Sequence, residues 1–322
     1  MCSSDLHGHA DRRREGACRR PGDDAAEQHR PALDPELPRA RHEVDRLVRR
    51  LSIETGILEH LYELDRGKTE ALVAQGFSEE LVSRSNTDIE PAHLIDILRD
   101  QESAIQLVMD CIAKNRKLTK SVIHELHVIL TNHQESTVAI DQFGTRREVT
   151  LQKGVFKQQP NNPRRPNGEL HQYCPPVQVE SEIDNLLSWL DDYASDDPII
   201  VAAWLHHRFT QIHPYQDGNG RVGRALTTLL LLRANLLPLV IDRDMRVEYI
   251  NALETGDQGD LTKLASLFAR LERQAILQAL SVDAETTPEP GSSAVIDSLA
   301  DRSEEHTSEL QSLAYLVCRL LL

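Results

Sequence analysis

Residues 213–224, His-Pro-Tyr-Gln-Asp-Gly-Asn-Gly-Arg-Val-Gly-Arg, force one helix to end and another to begin within a few positions. Pro214 stops any preceding helix, because its ring disfavours α geometry in the residue before it. Glycines then lead into the apolar helical run Ala225–Leu237, leaving the backbone N–H groups around Asn219 and Gly220 to point out of a helix N-terminus. An anion is the natural occupant of such a turn. The window also holds an imidazole, a loop carboxylate and two guanidiniums, which together are equipment for phosphate chemistry.

The rest of the chain reads as helical. Of 322 residues 40% are hydrophobic but only 4% aromatic, and Leu, Ala and Ile recur at 3–4 spacing, so an all-α domain is favoured over a sheet protein. Helices are predicted from about Val44, with Leu47, Leu51, Ile57, Leu58, Leu61 and Leu64 as an apolar face interrupted by Gly56, and then over Thr69–Ala74. Others are predicted over 90–113 as one helix or a broken pair, Thr119–Thr131, Val177–Tyr193, Pro198–Ile212 with Asp197 as cap, Gly220–Leu237, 244–255 and 260–280. Residues 143–176 break the helical habit with Gly144, Gly154, Pro160, Pro163, Pro166 and Gly168, and Asn167-Gly168 predicts a hairpin turn between 156–162 and 170–174.

A formal charge of −15, from 36 basic and 51 acidic residues, argues against nucleic acid and anionic lipid as partners, so an anionic ligand has to be captured by local charge. Five cysteines without paired spacing read as reduced thiols of a cytoplasmic protein. No apolar run is long enough to span a membrane. The codons of Cys2-Ser3-Ser4-Asp5-Leu6 can be written as the reverse complement of those of Arg302-Ser303-Glu304-Glu305-His306, and both resemble translated sequencing-adapter DNA. Residues 1–43 are therefore expected to be disordered and partly foreign, and 286–322 a disordered or foreign tail.

Within the window, His213 suits a general base, with a helix-terminal histidine satisfied by carbonyls as the alternative. Asp217 is a hard oxygen ligand suited to Mg²⁺ on phosphate oxygens, or an N-cap. Gly218 and Gly220 remove Cβ atoms where backbone would approach phosphate, and Asn219 tolerates unusual dihedrals while adding an amide. Arg221 and Arg224 stand on the first helical turn, where cations are unfavourable unless an anion offsets the dipole.

The window resembles the HxFx(D/E)GNGRxxR signature of the Fic family at every specified position except Tyr215, which replaces Phe, and the resemblance extends over most of 48–270. It implies a Fic-fold helical bundle with a short β-hairpin flap, an N-terminal helical region over 44–115 and a core over 116–285. It implies a protein adenylyltransferase that moves AMP from Mg-ATP to a Ser, Thr or Tyr hydroxyl. His213 would be catalytic, Asp217 would hold the metal, and Gly218, Asn219, Gly220, Arg221 and Arg224 would bind nucleotide, Arg224 as the γ-phosphate clamp. Relatives with lysine in place of the second glycine act as kinases; Gly220 keeps the adenylyl-transfer pattern. Gly154-Val155-Phe156-Lys157 resembles the sequence preceding the target-aligning flap, with Gly154, Phe156 and Lys157 as its marks. Thr55–His60 resembles the inhibitory motif (S/T)xxxE(G/N), whose Glu59 would pair with Arg224 and exclude the γ-phosphate; His60 departs from Gly or Asn. Two alternatives stay open: AMP removal using Glu59 at the same site, and a nucleotide-binding regulatory module. A homodimer is compatible with the family. Tyr249 falls in the region near the adenine or serves as core. His124-Glu125-Leu126-His127 lacks the HExxH spacing and reads as an ordinary helix face.

Overall fold

The 3–4 spacing of Leu, Ile and Ala becomes nine helices among the residues described by the computed structural model, which are 37–83, 87–140, 145–164, 168–193 and 196–284. They are α1 (Leu37–Leu58), α2 (Arg66–Gln75), α3 (Pro91–Ala113), α4 (Lys120–Leu130), α5 (Pro176–Asp192), α6 (Pro198–Ile212), α7 (Asn219–Arg233), α8 (Arg246–Gly256) and α9 (Thr262–Ala284). The start signals act as polar caps. Asp65 accepts from Lys68 N–H, Thr119 from Val122 N–H, and Asp197 from Ile199 and Ile200 N–H, with Pro198 in the first turn. Residues 90–113 form one unbroken helix that starts at Pro91.

α7 is the axis of the core. Its Val222, Ala225, Leu226 and Leu229 are buried against Leu205, Phe209 and Ile212 of α6, Val108 of α3, and Ile123 and Leu126 of α4. A second cluster joins Tyr249, Ala252, Leu264, Leu267 and Phe268 of α8 and α9 to Ala202 and Ala203 of α6. A third packs Ile53 of α1 and Leu72 of α2 on Leu94 and Leu98 of α3, with Tyr62 between them. α1 is fastened further by a buried ion pair: Glu54 accepts from Arg243 at 2.9 Å, and Arg243 also donates to the Leu64 carbonyl at 2.6 Å and Thr69 Oγ1 at 2.7 Å.

Three helices end alike on a left-handed residue that is not glycine. At α1, His60 N–H donates to Ile57 O (3.1 Å) and Leu61 N–H to Gly56 O (3.0 Å), while His60 adopts φ 53°. The same pair of bonds surrounds Asn115 (φ 46°) after α3 and Asn235 (φ 57°) after α7. This is the Schellman closure, which needs one left-handed residue. It explains why α1 stops at Leu58 although apolar spacing continues to Leu64, and why α7 stops at Arg233 and not Leu237. Glu59 is thereby the capping residue of α1. Gly56 has a packing reason: a Cβ there would lie 2.4 Å from the Tyr62 hydroxyl and 2.5 Å from its ring carbon Cζ.

The all-α class holds, with one small sheet. Its strands β1 (Ser136–Ile140) and β2 (Arg146–Thr150) pair antiparallel from Ser136↔Thr150 to Ile140↔Arg146. The hairpin expected over 156–174 is reduced to a single bridge, Arg164↔Leu170. Pro160 and Pro163 contribute no N–H to a ladder, so the regular pairing forms upstream, where the chain has none. The turn residues 165–167 lie outside the described residues, as do 1–36 and 285–322.

Two substitutions separate these causes. His60→Gly relieves a left-handed non-glycine residue and is expected to stabilise the protein by about 1 kcal/mol. Gly56→Ala gains up to ~1 kcal/mol of helix propensity but drives a methyl into Tyr62, and the overpacking cost of about 1–3 kcal/mol makes the net change destabilising. Urea unfolding of both variants checks the opposite signs.

Candidate active site

The loop between α6 and α7 is held by its own side chains. The Asn219 carbonyl Oδ1 accepts from Tyr215 N–H at 2.8 Å, and its amide donates back to Tyr215 O at 2.8 Å. Both ends of this buried amide are therefore committed to the turn. Tyr215, fully buried, stacks on His127 at 3.7 Å and 10°, and its hydroxyl meets His124 Nδ1 at 2.9 Å. The His124–His127 pair, predicted as an ordinary helix face, faces the loop instead; spacing i, i+3 on α4 puts both rings on one side. Gly154 N–H donates to His127 Nδ1 at 2.8 Å, so Nδ1 is bare and Nε2–H donates to the Asp217 carbonyl at 3.0 Å. Burial, aided by Arg221, pushes His127 down to about 4, which keeps that tautomer neutral.

His213 caps α6 in the left-handed region, at φ 51°. Its Nδ1 lies 3.2 Å from Thr210 O, and a carbonyl can only accept, so the proton sits on Nδ1. Burial first, and the Lys157 ammonium second, hold the ring well below the ordinary imidazole value of about 6.5. A neutral ring with Nδ1–H leaves Nε2 with a free lone pair. Tyr173 stacks on the ring at 3.7 Å and 4°, which fixes its plane.

Asp217 closes the other side. Burial alone would raise its pKa, but Arg221 and the donors around it win, so the carboxyl is held below its usual value and ionised. Those donors are Gln134 Nε2 (2.7 Å), Thr137 Oγ1 (2.9 Å) and Gly218 N–H (2.6 Å). Thr137 comes from β1, so the small sheet exists at the edge of the site. Gly218 has φ 80°, and a Cβ there would sit 3.1 Å from the Thr131 methyl and 3.3 Å from the His127 ring. Among the described residues no group of three or more His, Cys, Asp or Glu could hold a metal ion. A lone ionised carboxylate nevertheless fits Mg²⁺, which takes its remaining ligands from phosphate and water.

The two arginines part company. Arg221, 1% exposed, turns inward and donates to Leu130 O at 2.7 Å and to Gln134 Oε1 at 2.5 Å, so Gln134 bridges Arg221 and Asp217. Arg224 turns to the mouth, where its guanidinium donates to Glu59 Oε1 at 2.5 Å. The same carboxylate lies over the first turn of α7: a Cβ on Gly220 would meet Glu59 Oε1 at 2.2 Å. The N–H groups of residues 219–221 have no intrahelical acceptor, so Glu59 places a carboxylate where a helix N-terminus and a cation both favour an anion.

The segment at Gly154, Phe156 and Lys157 is stitched to the loop. Lys157 N–H donates to Pro214 O at 2.8 Å, and Asn161 donates to Tyr215 O at 2.8 Å. The Phe156 ring lies 4.4 Å from His124 and 5.6 Å from Tyr215. Lys157 is 3% exposed and donates to Asn161 Oδ1, so its ammonium backs His213 and does not face solvent; burial pushes it down to about 8. Reading the sequence missed His127, Gln134, Thr137, Asn161 and Tyr173. Only the HELH spacing carried a signal for any of them.

Residues 117–231 match the family model described as Fic/DOC family. Over 142 residues the chain is 27% identical to protein adenylyltransferase fic-1 of Caenorhabditis elegans, covering 42% of this chain and 28% of that protein. It is 35% identical over 83 residues to protein adenylyltransferase Fic of Drosophila mojavensis, covering 25% and 16%. The chain thus spans less than a third of these relatives. A Fic-domain-containing signalling protein from Bacteroides thetaiotaomicron superposes with TM-score 0.63 at 20% identity, over 80% of this chain and 95% of that one. Fic-1 from C. elegans gives 0.54 at 20%, over 77% and 65%. The stretch from α4 into α7, with His213, Asp217, Gly220 and Arg224 set as described, is a Fic/DOC-family domain.

Proposed function

We propose that this chain is a protein adenylyltransferase held in check by its own Glu59. The observation that supports this most is the Glu59 carboxylate seated on Arg224 and the first turn of α7, in an anion position next to a neutral imidazole. ATP is the anion that belongs there. Residues 44–115 supply the inhibitory helix and 116–285 the catalytic core. The target is a protein whose Ser, Thr or Tyr lies along the segment from Gly154. Gly154 and Lys157 anchor that segment inward, and Val155, 46% exposed, faces out. The unpaired cysteine usage supports a cytoplasmic location; no helix among the described residues is long and apolar enough to cross a membrane.

In the reaction, the target hydroxyl oxygen bonds to the α-phosphorus, the bond to the bridging oxygen of the β-phosphate breaks, and pyrophosphate leaves. His213 Nε2 takes the hydroxyl proton, with Nδ1–H fixed to Thr210 and Tyr173 holding the ring plane. Asp217 would hold Mg²⁺, which supplies charge neutralisation on the phosphate oxygens when bound. Backbone N–H groups at the start of α7 orient the α-phosphate. Arg224 binds the γ-phosphate once Glu59 has moved aside. Arg221, spent on Leu130 and Gln134, contributes by holding Gln134 and through it Asp217.

Incubation with ATP labelled at the α-phosphate tests this directly. Glu59→Gly leaves the buried Arg224 charge uncompensated, a cost of about 3–5 kcal/mol that an incoming anion relieves, and is expected to raise label transfer to protein by roughly 10²-fold or more. Adding His213→Ala is expected to lower transfer about 10²–10⁴-fold. Label arriving from the γ-phosphate, or transfer that survives without His213, refutes the reading.

The pH profile follows from the direction of the His213 shift. A base held well below 6.5 stays unprotonated as pH falls through that value, so kcat/KM of Glu59→Gly is expected to hold its plateau from about pH 8 to about pH 5.5. An acid limb centred near 6.5 would mean that the ring titrates as an ordinary imidazole.

A further inference from the structure

Lys157 brackets the candidate base from both sides. Its ammonium donates to Ile212 O at 3.4 Å and its backbone N–H to Pro214 O at 2.8 Å, the carbonyls of the residues immediately before and after His213. Asn161 continues the series. Its amide donates to Tyr215 O at 2.8 Å and to Gln216 O at 3.4 Å, while its own Oδ1 accepts from the Lys157 ammonium at 2.9 Å. Four carbonyls of the stretch 212–216 are thus held by two residues of the segment that follows Gly154.

The stretch needs such bracing. His213 sits at φ 51° and ψ 59°, a left-handed geometry that is strained for any side chain other than glycine and persists only where its surroundings over-determine it. It also ends α6, whose last carbonyls lack intrahelical donors and form the negative end of the helix, so a cation is favourable there. The cation is nevertheless costly. Lys157 is buried, and among the described residues no carboxylate pairs with its ammonium. Packing alone would be served as well by an apolar side chain of the same length. The remaining neighbour is the Tyr173 ring, whose centroid lies 5.6 Å from the ammonium and which is stacked flat on His213 at 3.7 Å.

We infer that Lys157 and Asn161 are positioning residues for the candidate reaction: together they lock the left-handed backbone of His213 and the ring stacked on it, so that the base and the segment proposed to receive the target move as one body. The inference rests on the proposed adenylyl transfer but concerns residues whose hydrogen bonds go to the loop's own backbone. The Lys157 charge has a second effect, since after burial it is what holds the His213 ring down; the other charged or titratable groups near that ring are Asp217 and His171.

Two measurements on the full chain carrying Glu59→Gly test this. The first is the ¹⁵N spectrum of the His213 ring, assigned by its loss in His213→Ala. The parent is expected to show one tautomer, with the proton on Nδ1, and Asn161→Ala a mixture of two. Lys157→Met, which leaves Asp217 and His171 in place, is expected to let the ring protonate at higher pH than in the parent, a change that lost packing alone does not produce. The second compares single-turnover transfer of the α-phosphate label with the Kd of Mg-ATP by calorimetry. Each substitution is expected to slow transfer by about tenfold or more while changing Kd by less than about twofold. An unchanged tautomer in Asn161→Ala, an unmoved titration in Lys157→Met, or a loss of ATP affinity as large as the loss of rate overturns the inference. Should Lys157→Met fail to fold, Asn161→Ala carries the tautomer and rate readouts alone. If the Glu59→Gly parent transfers no label, the adenylyl-transfer reading fails, while the ring spectrum still decides what Lys157 and Asn161 hold in place.

Discussion

Two helix ends, each carrying a charge that its own dipole disfavours, meet at the centre of this protein. Glu59 caps the C-terminus of α1, the negative end, and Arg224 rises from the first turn of α7, the positive end. In isolation each placement costs a few tenths of a kcal/mol or more. Brought together at 2.5 Å they become a favourable pair, and each charge also faces the opposite end of the other helix. The other devices in the N-terminal half serve this meeting. The Schellman closure at His60 sets the direction in which Glu59 leaves α1, Tyr62 packs on Gly56 one turn back, and Glu54 with Arg243 fastens the helix to the chain leading into α8.

A second constraint is the neutrality of three imidazoles. His213, His127 and His206 are each given one tautomer by a partner of fixed polarity: a carbonyl, a backbone N–H, and a hydroxyl already committed as donor. Burial keeps all three from charging. The consequence differs with what remains on the other nitrogen. For His127 and His206 it is spent on Asp217 O and on Tyr249, so these rings transmit geometry. For His213 it is left over, and Nε2 keeps its lone pair. One local rule thus yields scaffolding in two places and, on the proposed reading, a base in the third.

How much of this could be read from the sequence depends on the range of the interaction involved. The caps at Asp65, Thr119 and Asp197, the Pro-marked starts of α3 and α6 and the glycine-rich turn into α7 are set within four residues, and the chain states them openly. The closures at Asn115 and Asn235 were legible in principle, since Asn tolerates the left-handed region; His60 hid the third, and with it the end of α1. Gly56 looked like a flaw because the ring that requires it arrives six residues later from outside the helix. Gln134 and Thr137 could not be found at all: they lie 83 and 80 positions from the Asp217 they support, in a segment whose pairing is decided by which flanking stretch lacks proline. Arg221 and Arg224 show the limit most plainly. Three residues apart on one turn, they look interchangeable, yet one reaches Leu130 and Gln134 in the interior and the other reaches Glu59 at the mouth.

The placement of the fasteners also decides what can move. Glu54 is 4% exposed and tied to an arginine that itself holds Leu64 and Thr69, so lifting the whole of α1 would strand a buried charge, at a cost of about 3–5 kcal/mol. Glu59 lies five residues further on, at the C-terminal cap of the helix and beside a left-handed residue that already stores strain. The soft part of the latch is therefore its final turn, from Gly56 to Leu61, and not the helix. An anion that claims Arg224 needs only to rotate one capping side chain and loosen one Schellman turn, while the Arg243 clamp keeps α1 docked and ready to return. On the proposed reading, inhibition built this way is set by the local stability of a single turn, and the residue at position 60 is tuned by the same physics as the carboxylate beside it.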